Sequence, residues 1–155
     1  GTRYISVTGS TRDRLRSLAI ETLGNLGESI LSEGADPGDL RRAGNFIAWR
    51  DRHRREPDFD PLFFHAPLLL LFISDGQGSR DAAGAAAYTE LMAAAMGMGC
   101  LYSGYFTACA GAPTIREALA LAGQEQVVRC LVLGWPDICF RRSAPKKPAA
   151  LTRLE

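Results

Sequence analysis

The order of polar and apolar positions at the start of the chain predicts a short strand followed by a long helix. Residues 4–8 read Tyr-Ile-Ser-Val-Thr, which is typical of a strand. Leucine and isoleucine then recur at near-helical spacing, and this predicts a helix over residues 11–32. Ser10, with Asp13 three residues later, resembles a capping box at the start of that helix.

A loop and a second helix follow. Glycine and proline punctuate residues 33–38, which predicts a loop, and a helical stretch is expected over residues 40–50. Residues 50–55 then carry four arginines with His53 and Asp51. Such a run most often forms a solvated face, and a place at the entrance for a substrate or partner is the alternative interpretation.

Two segments, the apolar run at residues 66–73 and the valine- and leucine-rich stretch at residues 127–135, predict buried strands. Between them, residues 81–96 are dominated by alanine, which lets a helix approach its neighbours closely. We therefore expect this helix to lie in the core or at a dimer interface. Gly97 and Gly99 should end it, because glycine readily adopts the left-handed conformation found at helix C-termini.

The remaining stretches complete one layered domain over residues 1–155. Residues 100–106 are apolar and read as a short strand, and a short helix should begin at Pro113, with Thr114 and Glu117 as its capping pair, and run to Gly123. Strands and helices in this order predict an α+β or α/β domain.

Charge, hydropathy and the spacing of cysteine and histidine argue against nucleic-acid-binding, membrane-spanning and metal-binding proteins. A formal charge of +1 provides no overall field for nucleic acid, and the longest apolar run is too short to span a bilayer. The four cysteines and two histidines lack the spacing of a metal site. The cysteines lie in apolar or small-residue stretches, where buried thiols are common, and this favours a reducing cytoplasm.

No arrangement of side chains in the sequence marks a catalytic triad or a carboxylate pair. The glycines at residues 76 and 78 do not continue into a phosphate-binding motif. An enzyme without such groups is usually one whose cofactor carries the chemistry while the protein positions it. We therefore nominate no catalytic side chain and no metal ligand.

Two features suit a cofactor site. Gly97, Met98 and Gly99 lead into residues 102–105, where Gly104 would let a planar ligand meet backbone N–H groups; these glycines could equally serve only helix packing. The second feature is the basic, proline-containing segment 141–148, which could present cations to an anion or form a solvated tail.

Five segments resemble the nitroreductase family in the family's own order. Residues 97–110, GMGCLYSGYFTACA, are similar to the element written GLGTCWAGFF, and residues 131–136, LVLGWP, to LGYP. Residues 140–148, FRRSAPKKP, resemble the closing YKRxPPRKP. The alanine helix beginning Asp81-Ala-Ala and the His65-Ala-Pro ahead of the first buried run match two further elements.

The resemblance implies an α+β nitroreductase-like fold, with a central mixed β-sheet flanked by helices, that forms a homodimer and binds FMN at the subunit interface. It implies ping-pong electron transfer from NAD(P)H to a nitroaromatic, quinone or similar acceptor. Tyr102, Ser103 and Gly104 would border the flavin, and Lys146 and Lys147 would bind its phosphate. The tail most resembles members fused to, or encoded beside, a ferredoxin-like domain, so such a partner is also expected.

One departure leaves alternatives open. The family's arginine-rich RRSxRxF segment and its SxxNxQP motif are absent, and Gly1 aligns just after them, so the sequence reads as N-terminally incomplete. Lysine at position 146 also lacks the bidentate fork of the family's usual arginine. A flavin-deficient binding or interaction domain on the same scaffold is therefore the alternative, and a dehalogenating or ene-reducing enzyme is a third interpretation.

Overall fold

The fold of a computed structural model, which describes residues 1–138 and Thr152, alternates long helices with the strands of one sheet. In chain order the elements are β1 (Thr2–Val7), α1 (Gly9–Glu33), α2 (Pro37–Arg55), β2 (Leu68–Ser74), α3 (Ser79–Ala95), β3 (Gly99–Tyr102), α4 (Gly104–Cys109), α5 (Pro113–Ala118) and β4 (Gln126–Gly134). This order confirms the predicted strands and long helices. The short strand predicted over residues 100–106 ends at Tyr102, because the chain turns into α4 at Gly104, and α5 ends at Ala118 rather than at Gly123.

The four strands lie in the order β1-β2-β4-β3, and every neighbouring pair is antiparallel. This differs from the mixed sheet that we expected. The reason is that β2 and β3, which run in the same direction across the α3 connection, do not pair with each other, because β4 lies between them. A bulge at Phe72 and Ile73 shifts the register of β2 against β4.

The central strand β2 is buried on both faces, as its continuous apolar run predicts. Leu69, Leu71 and Ile73 pack into a core with α1, α4 and α5. The alternate residues, including Phe72, pack against the alanines of α3. The sheet therefore separates a large core from a thinner layer that α3 covers alone among the described elements.

Helices α1 and α2 form a tightly packed pair on the large-core side. A side chain at Gly27 would lie 2.7 Å from the Ala43 carbonyl oxygen, so the crossing requires glycine there. Helix α2 is longer than predicted and includes the arginine run. Within that run Arg50 and His53 are buried, so the interpretation as a solvated face holds only for the other positions.

Both predicted capping boxes are wrong, and the helix starts explain why. Helix α1 begins at Gly9, so Ser10 lies inside its first turn, and Thr8 at the cap position makes no side-chain hydrogen bond. Helix α5 begins at Pro113 after Ala112, so Thr114 is likewise inside the helix. The end of α3 is as predicted, since Gly97 has a φ of 76°.

The thiols of Cys100, Cys109 and Cys130 are free, and Cys109 and Cys130 are buried, as predicted. Burial raises the pKa of Cys109 to about 12 and that of Cys130 further still. Cys139 and the basic tail lie outside the described residues. Within residues 1–138, no helix combines the length and the apolar character that crossing a bilayer requires.

Candidate functional site

A cavity of about 1420 Å³ opens between α2, the segment before β2, and the junction of β3 with α4. Five aromatic side chains contribute to its wall, and its charged side chains lie along α2 and the following loop. The residues that line it are Arg42, Trp49, Arg52, Glu56, Asp58, Phe59, Asp60, Pro61, Leu62, Phe64, His65, Leu101, Tyr102, Ser103, Gly104, Tyr105 and Ala108.

The α2 wall is built on an edge-to-face cluster of three rings. Trp49 and Tyr105 lie 5.5 Å apart between ring centroids, and each also contacts Phe46, at 5.8 and 5.3 Å. Phe46 is buried, so it anchors the two rings that line the cavity. Rings in such contacts offer a rigid apolar surface to a planar ligand.

A second wall is the β3–α4 junction, which adjoins the first at Tyr105 and where the chain changes from strand to helix at Ser103. The Ser103 N–H donates to the Cys130 carbonyl at 2.9 Å, and its hydroxyl donates to the Leu62 carbonyl at 3.4 Å. These bonds tie the junction to β4 and to the segment before β2. Gly104 follows, and a Cβ built there would meet nothing within 4 Å.

The start of helix α4 lies beside the cavity at this junction. The first turn of a helix leaves its N–H groups without intrahelical acceptors, and Gly104 and Tyr105 form the first turn of α4 and line the cavity. With no side chain on Gly104, an acceptor atom of a planar ligand can approach this backbone directly.

The third wall is residues 56–65, which we call the cavity loop. The buried Asp60 carboxylate accepts hydrogen bonds from the N–H groups of Leu62, Phe63 and His65, at 3.2, 2.8 and 3.0 Å. Phe64 and His65 both have positive φ, 53° and 59°. Residues other than glycine rarely adopt this region, so the loop is strained where it lines the cavity.

Opposite charges balance along the α2 side of the cavity. The Arg52 guanidinium donates to Glu56 at 2.9 Å and lies 4.3 Å over the ring of Phe59. At the β3–α4 junction, burial and then the nearby Glu90 carboxylate raise the pKa of the Tyr102 phenol. The site thus combines neutral aromatic surface with paired charges.

The structure brings three of the five sequence-predicted site residues together, since Tyr102, Ser103 and Gly104 share one wall of the cavity. Lys146 and Lys147 lie outside the described residues. The sequence reasoning missed the α2 ring cluster and the cavity loop. The arginine run at residues 50–55 had indicated a possible entrance to a site. By contrast, nothing in the residue types at Phe64 and His65 predicts a positive φ.

Solved structures with the same architecture are nitroreductases and related flavoproteins. A nitroreductase with bound FMN from Bacteroides fragilis matches 99% of this chain and 76% of its own, with a TM-score of 0.60 at 16% identity. The NADPH:FMN oxidoreductase of Vibrio harveyi, complexed with NAD⁺, matches 96% of this chain and 55% of its own, with a TM-score of 0.56 at 19% identity.

The chain has a nitroreductase-like fold. An iodotyrosine deiodinase bound to FMN and 3-iodo-L-tyrosine shares it as well, with a TM-score of 0.57 at 15% identity over 99% of this chain and 74% of that one. No family model and no curated protein matches the sequence. The nitroreductase-like fold thus rests on three-dimensional similarity together with the five segments noted above.

Proposed function

We propose that this protein is an FMN-dependent NAD(P)H oxidoreductase of the nitroreductase type. The single observation that carries the proposal is the aromatic-walled cavity, into which the side-chain-free backbone at Gly104 opens within a nitroreductase-like fold. The similar proteins from Bacteroides fragilis and Vibrio harveyi are a nitroreductase holding FMN and an NADPH:FMN oxidoreductase holding NAD⁺, which supports both cofactors.

The described residues fit a flavin. At about 1420 Å³ the cavity exceeds the roughly 300–1,000 Å³ of ordinary small-molecule sites, so it has room for a planar cofactor and a second planar molecule. Tyr102, Ser103 and Gly104 would border the ring system, with N–H donors at the start of α4. Lys146 and Lys147, outside the described residues, would bind the phosphate.

When bound, FMN would supply two-electron transfer through its N5 atom. The protein's own part is to position the reactants and exclude water. The rings of Trp49 and Tyr105 would hold a planar molecule by apolar contact, and the β3–α4 backbone would fix the flavin edge. We propose that a reduced nicotinamide and a nitroaromatic, quinone or similar acceptor bind in turn.

We also propose a homodimer with the cavity at its interface. The outward face of α3 exposes large apolar side chains, Tyr88 at 76% and Leu91 at 69%, which a second copy would cover. We propose in addition that the protein has a ferredoxin-like partner and a cytoplasmic location. The free thiols of Cys100, Cys109 and Cys130 support the reducing compartment.

The absorbance spectrum of the purified protein, taken before and after FMN addition and then under anaerobic NADH or NADPH, tests the function. We expect bound-flavin bands that a nicotinamide bleaches and that a nitroaromatic or quinone restores. A protein that binds no FMN would contradict the proposal and favour the flavin-deficient binding domain. Bands that bleach but are restored only by a halogenated substrate would favour a dehalogenase.

A pair of glycine variants tests the site itself. Gly104 and Gly111 both have open space around a built Cβ, but only Gly104 lines the cavity. We expect Gly104→Val to weaken FMN binding by about tenfold or more, because a branched side chain would block the approach to the backbone. Gly111→Val should leave it unchanged. Equal FMN affinity of both variants would exclude the β3–α4 junction as the flavin wall.

A further inference from the structure

Three buried polar side chains bind the backbone of the cavity loop, and one of them belongs to the loop itself. Arg16 of α1, His53 of α2 and Asp60 of the loop itself have only 8%, 8% and 6% of their surface exposed. Burying charged groups is costly unless each is paired or hydrogen-bonded. Their partners therefore indicate why they are there.

All three bind the backbone of the same loop. An Arg16 Nη atom donates to the Pro57 carbonyl at 3.2 Å. His53 Nδ1 lies 3.1 Å from the Phe59 carbonyl, and because a carbonyl only accepts, Nδ1 carries the proton and donates. Asp60 accepts three N–H bonds further along, and its Oδ2 lies 3.9 Å from Arg16.

Helix α1 holds this arrangement from the other side. Ser17 Oγ lies 3.0 Å from His53 Nε2, so the imidazole is fixed at both nitrogens between α1 and the loop. The cavity loop is thus bound to two helices through side-chain hydrogen bonds, in addition to the packing of Leu62 and Phe63 in the apolar core. Hydrogen bonds specify one backbone geometry, whereas apolar packing would tolerate several.

The two residues with positive φ lie at the C-terminal end of the loop, where Asp60 accepts its third hydrogen bond. Its Oδ1 accepts from Leu62 and Phe63, whereas its Oδ2 accepts from His65, one of the two left-handed residues. That conformation is unfavourable for a residue with a Cβ, so it persists only where the surroundings hold it. The Oδ2 bond to His65 is such a restraint.

We propose that Asp60 is a positioning residue that holds Phe64 and His65 in their left-handed conformation, and that these two side chains determine which planar aromatic acceptor the cavity admits. Phe64 is 64% exposed although it is a large apolar residue at the cavity, as a ligand-contacting side chain would be. The acceptor class rests on the proposed oxidoreductase function, whereas the positioning role does not.

The variant Asp60→Asn tests the roles of the two carboxylate oxygens separately. Asparagine can keep Oδ1 as an acceptor for Leu62 and Phe63, but its amide nitrogen cannot accept from the His65 N–H. We expect KM for menadione, a planar quinone, to rise about tenfold while kcat changes less than about twofold. Asp137→Asn, at an exposed position away from the cavity, should change neither constant.

A second measurement does not depend on the flavin. Amide hydrogen exchange of the protein as purified should be about tenfold or more faster at His65 in Asp60→Asn, with little change at Leu62 and Phe63.

A third measurement uses the flavin-loaded protein. In a His65→Gly background, where a left-handed φ costs little, Asp60→Asn should have a much smaller effect on KM for menadione than it has in the wild-type background.

The outcomes are distinguishable. Unchanged exchange at His65 in Asp60→Asn would overturn the positioning role. Equally fast exchange at Leu62, Phe63 and His65, with kcat and FMN content both reduced, would also overturn it, because the carboxylate would then serve folding of the whole loop. A wild-type protein that binds no FMN would overturn the proposed function and the acceptor class, while the exchange experiment would still decide the positioning role.

Discussion

Gly27 shows, at the scale of single residues, how tightly α1 packs on α2. A Cβ there would lie 2.7 Å from the Ala43 carbonyl oxygen and 3.1 Å from Ile47 Cγ1. Backbone cannot move aside as a flexible side chain can, so the helices would have to separate. The nearby Gly24 packs on the Arg50 side chain in the same crossing.

We therefore expect Gly27→Ala to lower the free energy of unfolding by about 1–3 kcal/mol, a cost typical of overpacking. The matched control is Gly44→Ala in α2, where a Cβ meets nothing within 4 Å. Alanine should stabilise that position by roughly 0.5–1 kcal/mol, because glycine is a poor helix former. Urea unfolding of both variants measures the difference, and a Gly27→Ala protein as stable as Gly44→Ala would contradict this crossing.

At the scale of the elements, the sequence predicts what depends on periodicity and misses what depends on local hydrogen bonds. Strand β2 is a continuous apolar run, β4 is rich in valine and leucine, and α1 repeats leucine at helical spacing, so all three could be recognised. Helix α4 has only six residues, too few for a periodic signal. The two capping-box predictions were wrong because α1 and α5 each begin before the residue that the motif would place at the cap.

The same distinction applies to the candidate site, where the sequence predicted one wall of the cavity and missed another. Tyr102, Ser103 and Gly104 were predicted because glycine next to aromatic residues is visible in the sequence and matches a family motif. The cavity loop was not predicted, because Phe64 and His65 are residue types that seldom adopt positive φ, and the Asp60 carboxylate belongs to no recognised sequence motif.

An ion pair ties the edge strand β1 to the turn before β4. Arg3 donates two hydrogen bonds to Glu125, at 2.9 and 2.7 Å. The Arg3 side chain, followed by the Ala122 N–H, lowers the pKa of Glu125. A carboxylate whose pKa is lower in the folded state stabilises the fold above its unfolded pKa, and that contribution is lost as the pH falls through the folded pKa.

The expected result is a stability that declines as the pH falls below the ordinary glutamate pKa of about 4.3, and a shallower decline in Glu125→Gln. At pH 7 that variant should unfold at a slightly lower temperature than wild type, since exposed pairs contribute little. Thermal unfolding between pH 7 and pH 3 measures both effects. Glu117→Gln, at an exposed position of α5, is the control, and identical pH profiles of the two variants would contradict the role of this pair.

At the scale of the whole molecule, the two faces of the sheet are covered very differently. One face carries α1, α2, α4 and α5, whereas the other has α3 alone among the described elements. Helix α3 buries only Ala82, Ala86 and Ala93 and turns its large apolar residues outward. Such a face is stable in water chiefly when another surface covers it.

We expect Leu91→Glu combined with Met92→Glu to convert a dimer into monomers at micromolar concentration, because charges would be buried unpaired at the interface. Both side chains are exposed in the single chain, 69% and 58%, so the monomer itself should fold normally. Leu31→Glu, an exposed leucine on α1, should leave the dimer intact. Sedimentation velocity measures the mass, and a monomeric wild type would contradict the assembly.

The same variants connect assembly to function. If the flavin lies between two copies, the α3 double variant should lose FMN affinity together with the dimer, whereas Gly104→Val should lose affinity and remain dimeric. A monomeric α3 variant that still binds FMN as tightly as wild type would place the whole binding site within one chain. The cavity described here would then be complete without a partner.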